Sequence, residues 1–254
     1  MPEHDPNPRP LGWSLSPHLI MASVATEETE LSDWVTRQVE AGQDSSRAYL
    51  HVGKTGGTSF LREARTLAAV QPERVPILFP HEWTVPRIRE SLPDATISLI
   101  IRDPLERAVS GFVSRERAGR PTYNSPWNHQ EATAFLFFKS VYEYLDAILS
   151  GNHRDAAAAD FASRSIDHIR RGYEYHLGDA MDIGSWAGVI GRFENVQEFT
   201  SKVLGDDVNV GHLHRNPVSS AAVLERYTSD EIGQLRTYFQ AEYEMFDALA
   251  PHAL

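Results

Sequence analysis

The stretch that decides the fold is Ala48-Tyr-Leu-His-Val-Gly-Lys-Thr-Gly-Gly-Thr-Ser-Phe60. An apolar segment leads here into a turn that carries glycines, one lysine and hydroxyl side chains, and a helix-like segment follows. N–H groups at the start of a helix bind anions, and glycine lets the backbone approach an anion closely. The stretch therefore predicts a strand, a phosphate-binding turn and a helix.

Further strands and helices alternate along the chain on both sides of this stretch. Alternation with short connections indicates an α/β fold with a mostly parallel central sheet flanked by helices. The third strand is a continuous apolar run, which is typical of a strand buried on both faces. The predicted strands are Arg47 to Val52, Val75 to Phe79, Thr96 to Ile101 and Gly188 to Phe193, and the first is followed by a helix from Gly57 to Val70.

Apolar residues at helical spacing predict further helices outside this core pattern. We expect residues 1–46 to form an N-terminal tail with a short helix, and residues 47–254 to form one domain. Gly119 to His129 is rich in turn-forming residues and is expected to be a surface loop. The predicted helices are Thr26 to Ala41, Ala132 to Leu149, Asp155 to Tyr175 and Ser229 to Leu249.

Composition restricts the class of protein. The 254 residues carry a formal net charge of −11, whereas a general nucleic-acid or anionic-membrane binder would show a basic excess. The chain has no cysteine, which excludes disulfides, thiolate metal sites and a cysteine nucleophile. The first residues lack the pattern of a signal peptide, and no apolar run approaches the ~20 residues of a membrane span. We therefore expect a cytoplasmic protein without a transmembrane segment.

The order Gly53-Lys54-Thr55 resembles the end of a Walker A motif, G-x-x-x-x-G-K-[ST]. The first glycine of that motif would fall at position 48, which is Ala48, inside the predicted strand. The turn is therefore too short to wrap a β-phosphate as NTPases do. A 5′-phosphosulfate is a better fit, with Lys54 near the bridging oxygen and the hydroxyl groups on the phosphate.

A second group of polar residues follows the third strand, in Ser98-Leu-Ile-Ile-Arg-Asp-Pro-Leu-Glu-Arg-Ala-Val-Ser110. Asp103 and Glu106 have the spacing of a capping box, so the helix is expected to begin directly after the strand. Arg102 then lies at the carboxyl end of the strand, where open α/β sheets bind ligands, and Ser110 lies two turns further. Both residues can contact one external anion, such as a second phosphate; the alternative is that Arg102 pairs with Asp103 or Glu106.

Together, His51-Val-Gly-Lys-Thr-Gly-Gly-Thr-Ser59 and Ile101-Arg-Asp-Pro-Leu-Glu-Arg-Ala-Val-Ser110 resemble the two signature loops of sulfotransferases that use 3′-phosphoadenosine 5′-phosphosulfate (PAPS). Gly191-Arg-Phe-Glu-Asn195 and Tyr243-Glu-Met-Phe246 also resemble the carbohydrate sulfotransferase branch of this family. The resemblance covers the chain from about residue 47 to the end. The family members known best are membrane-anchored and often disulfide-bonded, so a bacterial cytoplasmic setting and a different acceptor are expected here.

The resemblance implies a P-loop NTPase-like fold, PAPS as sulfuryl donor and no metal. It implies transfer to a hydroxyl group, of a carbohydrate or lipid-linked small molecule, with the donor's 3′-phosphate held by Arg102 and Ser110. A polar loop before the last helices covers the nucleotide in such relatives, which makes Arg215, Ser219 or Ser220 a candidate contact. The implied 5′-phosphosulfate loop consists of Lys54, Thr55, Gly56, Gly57, Thr58 and Ser59.

Transfer to a hydroxyl group needs a base, and a cation at the leaving oxygen. Lys54 is the candidate cation. His81 follows the second strand and so lies at the same sheet edge, and a neutral imidazole titrates in a suitable range. In related enzymes a histidine or a glutamate of this region is the base, which keeps Glu82 as the rival; His81 can instead cap the following helix.

Other polar residues leave alternatives open. His212 and His214 form a His-x-His pair, which is a weak metal motif without a further assigned ligand. A nucleotide or small-molecule kinase and a catalytically silent nucleotide-binding module are the alternative functions. Several arginines either steer an anionic acceptor or lie on solvated helix faces: Arg87, Arg89, Arg115, Arg117 and Arg120.

Overall fold

Four parallel strands form the centre of the protein in a computed structural model that describes residues 31–120, 124–211, 216 and 218–254. Their order across the sheet is β2-β1-β3-β4, so that β1 lies between the second and third strands. The predicted α/β class with a parallel sheet flanked by helices is confirmed. The strands are β1 (Asp44–Leu50), β2 (Pro76–Phe79), β3 (Thr96–Ile101) and β4 (Ala187–Arg192).

Helices connect and cover the strands. Helix α1 covers residues 31–40. It agrees with the predicted helix from Thr26 to Ala41 over the residues that the structure describes; residues 26–30 lie outside them. In chain order the others are α2 (Gly57–Ala68), α3 (Val85–Ser91), α4 (Pro104–Glu116), α5 (His129–Phe137), α6 (Val141–Leu149), α7 (His153–Ser165), α8 (Asp167–Arg170), α9 (Tyr173–Leu177), α10 (Val196–Leu204), α11 (Ser220–Leu224), α12 (Ser229–Tyr238) and α13 (Gln240–Leu249). No helix among the described residues is long and apolar enough to cross a bilayer.

Side chains of the strands alternate between the two faces of the sheet. Ala48 and Leu50 pack on one face in a cluster with Leu249 of α13, whereas Tyr49 packs on the other face against Phe60 of α2. Ala48 is fully buried and pairs with both neighbouring strands, opposite Ile77 and Ile97. A third cluster, made by α4 to α7 with α11 and α12, forms a helical layer beside the sheet.

The order of the strands fixes where a ligand can approach. The chain leaves β1 toward β2 on one side, and β3 lies on the other side of β1. In an open parallel sheet, a crevice forms at the carboxyl ends of two strands whose connections run in opposite directions. The turns that follow β1 and β3 therefore meet at one edge of the sheet.

Three helices predicted as continuous are broken, and these predictions were wrong. The segment from Ala132 to Leu149 is divided into α5 and α6, because Phe138 is extended and the Ser140 hydroxyl caps α6 by accepting the Glu143 N–H at 3.2 Å. An extended Ile166 divides α7 from α8 in the predicted helix from Asp155 to Tyr175. Phe239, with φ −95° and ψ 23°, separates α12 from α13.

Element ends also differ by small shifts. Strand β1 ends at Leu50, two residues earlier than predicted, so His51 and Val52 belong to the turn. Helix α2 ends at Ala68 instead of Val70. The predicted loop at Gly119 to His129 is non-helical over residues 124–128, and α5 begins at His129 behind an Asn128 capping box.

Candidate active site

The turn between β1 and α2, residues 51–56, folds as a tight cradle. Gly56 is left-handed with φ 87°, and Lys54 adopts φ 69°, a conformation that side-chain-bearing residues rarely occupy. The Thr55 hydroxyl is buried and donates to the Val52 carbonyl oxygen at 2.8 Å, which closes the turn. A Cβ on Gly57 would lie 2.3 Å from His51 Cδ2 and 2.5 Å from the Tyr49 hydroxyl, so the first residue of α2 must be glycine.

Lys54 is the candidate cation of the cradle. Its ammonium makes no hydrogen bond or ion pair with any residue in the described part of the chain. Burial, together with the positive charges of Arg117, Arg102 and Arg115, lowers the pKa of Lys54 to about 8. A desolvated cation near other cations is unfavourable unless an anion joins it, which is the electrostatic signature of an anion site.

The predicted hydroxyl contacts of this turn differ in their availability. Thr55 is committed to the Val52 carbonyl, so its hydroxyl proton already has an acceptor inside the turn. Thr58 is exposed, and Ser59 is buried in the first turn of α2. The N–H of Ser59 donates to the Gly56 carbonyl oxygen at 3.0 Å. The glycines and Thr58 are consequently better placed than Thr55 to receive an external anion.

The turn that follows β3 touches the cradle through Arg102. Arg102 Nη1 lies 3.4 Å from the Lys54 carbonyl oxygen, and the guanidinium lies 4.3 Å from the centre of the Phe193 ring. Of the two pairings left open by the sequence, the one with Glu106 is formed, at 2.9 Å. Arg102 Nη2 also donates to the Ser220 hydroxyl at 3.2 Å. Arg102 is thus oriented beside the cradle by a carboxylate and an aromatic face.

Asp103 caps α4, as its position in the sequence predicts. Its carboxylate accepts the Glu106 N–H at 3.0 Å and the Tyr243 hydroxyl at 2.9 Å. The Tyr173 hydroxyl accepts the Arg102 N–H and donates to the Arg102 carbonyl oxygen, both at 2.7 Å. The strand-to-helix turn after β3 is therefore fixed by side chains from α9 and α13.

Ser110 lies on α4 and is buried. Its hydroxyl accepts from Asn216 Nδ2 at 3.1 Å, and Asn216 Oδ1 accepts from Arg117 Nη2 at 2.8 Å. The predicted phosphate residue Ser110 is thus linked to a second cationic side chain of the same helix. Arg215, His212 and His214 lie outside the described residues.

His81 and Glu82 follow β2, at the same sheet edge as the cradle. His81 Nε2 lies 3.3 Å from Glu82 Oε1, and the same carboxylate oxygen lies 3.5 Å from Arg171 Nη1. Burial lowers the pKa of His81, while the Glu82 carboxylate raises it. The Glu82 side chain is 52% exposed and lies between Arg171 and His81, whereas His81 lies among the rings next to the cradle. His81 is therefore closer to the imidazoles beside the cradle than the Glu82 carboxylate is.

Three imidazoles form a row across the mouth of the cradle. The His51 and His81 rings are 5.8 Å apart, and the His81 and His168 rings are 6.0 Å apart. A Cβ on Gly53 would lie 3.7 Å from His168 Cδ2. Burial lowers the pKa of His51 to about 3 and that of His168 well below its usual value, so both rings are neutral near pH 7. His168 Nδ1 is buried without a hydrogen-bond partner among the described residues.

His168 was missed as a site residue by the sequence reasoning. It lies on the four-residue helix α8, and nothing in its neighbourhood in the sequence marks it as functional. Its position depends on α4, where a Cβ on Gly111 would lie 3.1 Å from the His168 carbonyl oxygen. Only the close packing of α4 and α8 brings it to the cradle.

A buried ion pair holds α8 in place. Arg107 of α4 is 1% exposed; it donates to the His168 carbonyl oxygen at 2.8 Å and pairs with Glu242 of α13 at 3.1 Å. Glu242 also accepts the Tyr173 N–H at 2.8 Å and thereby caps α9. Gly172 leaves the space for this carboxylate, because a Cβ there would lie 2.1 Å from it. Arg107 and Glu242 are positioning residues that the sequence did not identify.

The candidate steering arginines divide into different roles. Arg115 is buried and pairs with Glu131 at 2.5 Å, so it is a structural residue and not a surface residue that steers an acceptor. Arg117 faces Asn216, and the Arg87 guanidinium lies 4.8 Å from the centre of the Trp83 ring. No group of three or more His, Cys, Asp or Glu side chains that could hold a metal ion occurs within residues 31–120, 124–211, 216 and 218–254.

The chain was compared with protein-family models, with curated proteins and with solved structures, and none of them matches it.

Proposed function

We propose that the protein is a PAPS-dependent sulfotransferase that transfers a sulfuryl group to a hydroxyl acceptor, of a carbohydrate or lipid-linked small molecule, in the cytoplasm. The observation that carries the proposal is the contact between the two anion-directed turns. Arg102 from the turn after β3 reaches the carbonyl of Lys54 in the turn after β1 at 3.4 Å, beside a lysine without a described counter-charge. A ligand with two separate anionic groups fits one group to each turn.

The residues present suit such a donor. The glycine-bearing mouth of α2, at the positive end of a twelve-residue helix, and the ammonium of Lys54 suit a 5′-phosphosulfate. Arg102 and Ser110 suit a 3′-phosphate. The cradle holds only residues 51–56 between strand and helix, which supports a phosphosulfate over the longer phosphate chain of ATP.

PAPS supplies the sulfuryl group, whose S–O bond to the phosphate breaks as a bond from the acceptor oxygen forms. His81 accepts the proton that the acceptor hydroxyl loses. Glu82, 3.3 Å from His81 Nε2, orients the imidazole and stabilises its charged form. Lys54 stabilises the negative charge that develops on the leaving phosphate oxygen. The neutral rings of His51 and His168 border this space and limit the access of water.

The proposal is tested first by binding and then by transfer. Calorimetry with adenosine 3′,5′-bisphosphate measures affinity, and PAPS labelled with radioactive sulfur measures transfer to a panel of sugars and lipid-linked hydroxyl compounds. Lys54→Ala is expected to reduce transfer by at least ~100-fold, as loss of a transition-state donor does. Arg102→Ala is expected to weaken bisphosphate binding. Full transfer activity in both variants would refute the site.

Two variants identify the base. His81→Ala is expected to lower kcat with little effect on bisphosphate binding, while Glu82→Gln is expected to have the smaller effect on kcat. The reverse order would make Glu82 the base. Tight bisphosphate binding without transfer to any acceptor would favour a silent nucleotide-binding module. Turnover of ATP with Mg²⁺ and no bisphosphate binding would favour a kinase.

A further inference from the structure

Arg117, at the C-terminal end of α4, has an unusual set of partners. Its Nε donates to the Val113 carbonyl oxygen at 3.1 Å, and Nη1 donates to the Arg120 carbonyl oxygen. These two bonds fix the plane of the guanidinium at the end of the helix. Within the described residues no carboxylate forms an ion pair with Arg117, although its charge acts on the adjacent Glu116, where it opposes the rise in pKa that burial causes; Arg102 and Arg115 instead pair with Glu106 and Glu131.

The remaining edge of the guanidinium is directed at the candidate phosphate residue. Arg117 Nη2 donates to Asn216 Oδ1 at 2.8 Å, and Asn216 Nδ2 donates to the Ser110 hydroxyl oxygen at 3.1 Å. One amide group therefore spans the space between Ser110 and Arg117. Its carbonyl oxygen occupies the position of a hydrogen-bond acceptor for Arg117, which is also what a phosphate oxygen would provide.

The positive charges of this region also favour a bound anion. Arg117 contributes more than Arg102 or Arg115 to the lowered pKa of Lys54. Arg117 and Lys54 are thus two neighbouring cations, and neither has an ion-pair partner in the part of the chain that the structure describes. A phosphate bound at Arg117 would reduce this repulsion, and the Nη2 group, which donates to Asn216 here, can donate to a phosphate oxygen instead.

We propose that Arg117 is a phosphate-binding residue that acts with Ser110, and that the Asn216 amide occupies the position of the phosphate until the ligand binds. The inference rests on the proposed function, since the phosphate in question is the 3′-phosphate of the donor nucleotide. On binding, a phosphate oxygen takes the Arg117 Nη2 donor and the Ser110 hydroxyl, and the Asn216 amide moves aside. Arg117 would then decide the preference for a 3′-phosphorylated nucleotide.

The test compares two probes that differ only in the 3′-phosphate: adenosine 3′,5′-bisphosphate and adenosine 5′-monophosphate. Calorimetry gives the affinity ratio of the two probes for wild type and for Arg117→Gln. We expect the variant to lower the ratio by about tenfold or more, the usual effect of removing a charged hydrogen bond. Arg164→Gln, whose side chain is 78% exposed on α7, removes the same charge elsewhere and is expected to keep the wild-type ratio.

The outcomes separate the inference from the function on which it rests. If wild type prefers the bisphosphate and Arg117→Gln keeps the same preference, the inference is overturned while the proposed function stands. If wild type binds neither probe, both are overturned. A melting curve of each variant confirms that it is folded.

Asn216→Asp provides a second measurement that does not remove Arg117. The substitution is isosteric and places a carboxylate where the amide oxygen lies, 2.8 Å from Arg117 Nη2. We expect it to lower the affinity for the bisphosphate more than that for the monophosphate, because the new carboxylate repels a phosphate and pairs with Arg117. An unchanged ratio in this variant would contradict the displacement of Asn216.

Discussion

The turns after β1 and after β3 lie side by side at one sheet edge, but their polar groups differ in whether they have hydrogen-bond and ion-pair partners. In the turn after β3, Arg102 is paired with Glu106, Asp103 is bonded to Tyr243, and the Tyr173 hydroxyl bridges the backbone of Arg102. At the cradle after β1, the Lys54 ammonium has no partner among the described residues, and neither does the buried hydroxyl of Tyr49, which lies in β1 beside the cradle.

The difference separates scaffold from binding surface. Buried polar groups are nearly always hydrogen-bonded, so unpaired ones beside a cluster of cations need a reason. The polar groups of the turn after β3 have their partners within the protein, from α4, α9 and α13, and the turn holds the position of α4. The cradle after β1 is incomplete, and an anion from outside would complete it. The β3 side is therefore expected to contribute most to stability, although Arg102 there can also contact a ligand, whereas the cradle is expected to contribute mainly to binding.

The largest expected effect on stability comes from removing the Arg107–Glu242 ion pair, which lies on the β3 side. Arg107→Met leaves the Glu242 carboxylate buried without its cation, and we expect the free energy of unfolding to fall by about 3–5 kcal/mol. Chemical denaturation measures the change. Arg236→Met is the matched control: its side chain is 58% exposed and 3.7 Å from Asp103, and its loss should cost less than about 1 kcal/mol. Equal effects of the two variants would contradict the assignment of Arg107 to the scaffold.

The next largest effect is a gain in stability, and it is expected from a substitution in the cradle. Lys54→Met removes a desolvated cation without a described partner, and we expect the free energy of unfolding to rise by up to about 3 kcal/mol near pH 7, since one pH unit of pKa shift corresponds to about 1.4 kcal/mol. The folded pKa of about 8 lies below the unfolded value of 10.5. The charged ammonium therefore destabilises the folded wild-type protein by the full amount below pH 8, and this destabilisation disappears as the pH rises from 8 to 10.5.

Denaturation curves of wild type and Lys54→Met across this pH range test the expectation. The gain of the variant should be constant below pH 8 and should decline to zero above pH 10.5. Lys202→Met, at an exposed position of α10, should change stability little at any pH. A loss of stability in Lys54→Met would mean that the ammonium is satisfied within the protein.

The smallest expected effect compares two buried tyrosines. Tyr49→Phe removes a hydroxyl without a described partner, so we expect stability to stay the same or to rise by at most about 1 kcal/mol. Tyr173→Phe removes a hydroxyl with two bonds of 2.7 Å, and should cost about 1–3 kcal/mol. Thermal melting of both variants gives the difference. If Tyr49→Phe cost as much as Tyr173→Phe, the contrast between the two turns would be wrong.

The parts of the site that are local in sequence could be predicted from it. The cradle and the start of α2 follow from glycines and hydroxyl residues, Lys54 to Ser59, that come directly after a strand. The cap at Asp103 follows from its spacing to Glu106. These features depend on neighbours within a few residues, for which local backbone preferences decide the structure. The sheet and its parallel class follow in the same way from the alternation of apolar runs.

The parts that depend on distant contacts could not be predicted. His168 reaches the cradle because Gly111 lets α8 approach α4, and the two residues are far apart in the sequence. The partner of Arg102 was left open because Asp103 and Glu106 are both near it, and packing decided for Glu106. The break between α12 and α13 at Phe239 lies inside a continuous apolar pattern, and tertiary packing overrides that pattern there.

The Arg107–Glu242 pair also has a consequence for the order of folding. The two residues are 135 positions apart, and α13 lies at the far end of the chain from the cradle. Closing so long a loop is entropically costly, and it is repaid only when the buried contacts form together. The strands can pair and α8 can pack on α4 before α13 docks, but Arg107, which bonds the His168 carbonyl oxygen, lacks its carboxylate partner until then. The row of imidazoles is thus expected to reach its full stability only when the last helix of the chain has docked.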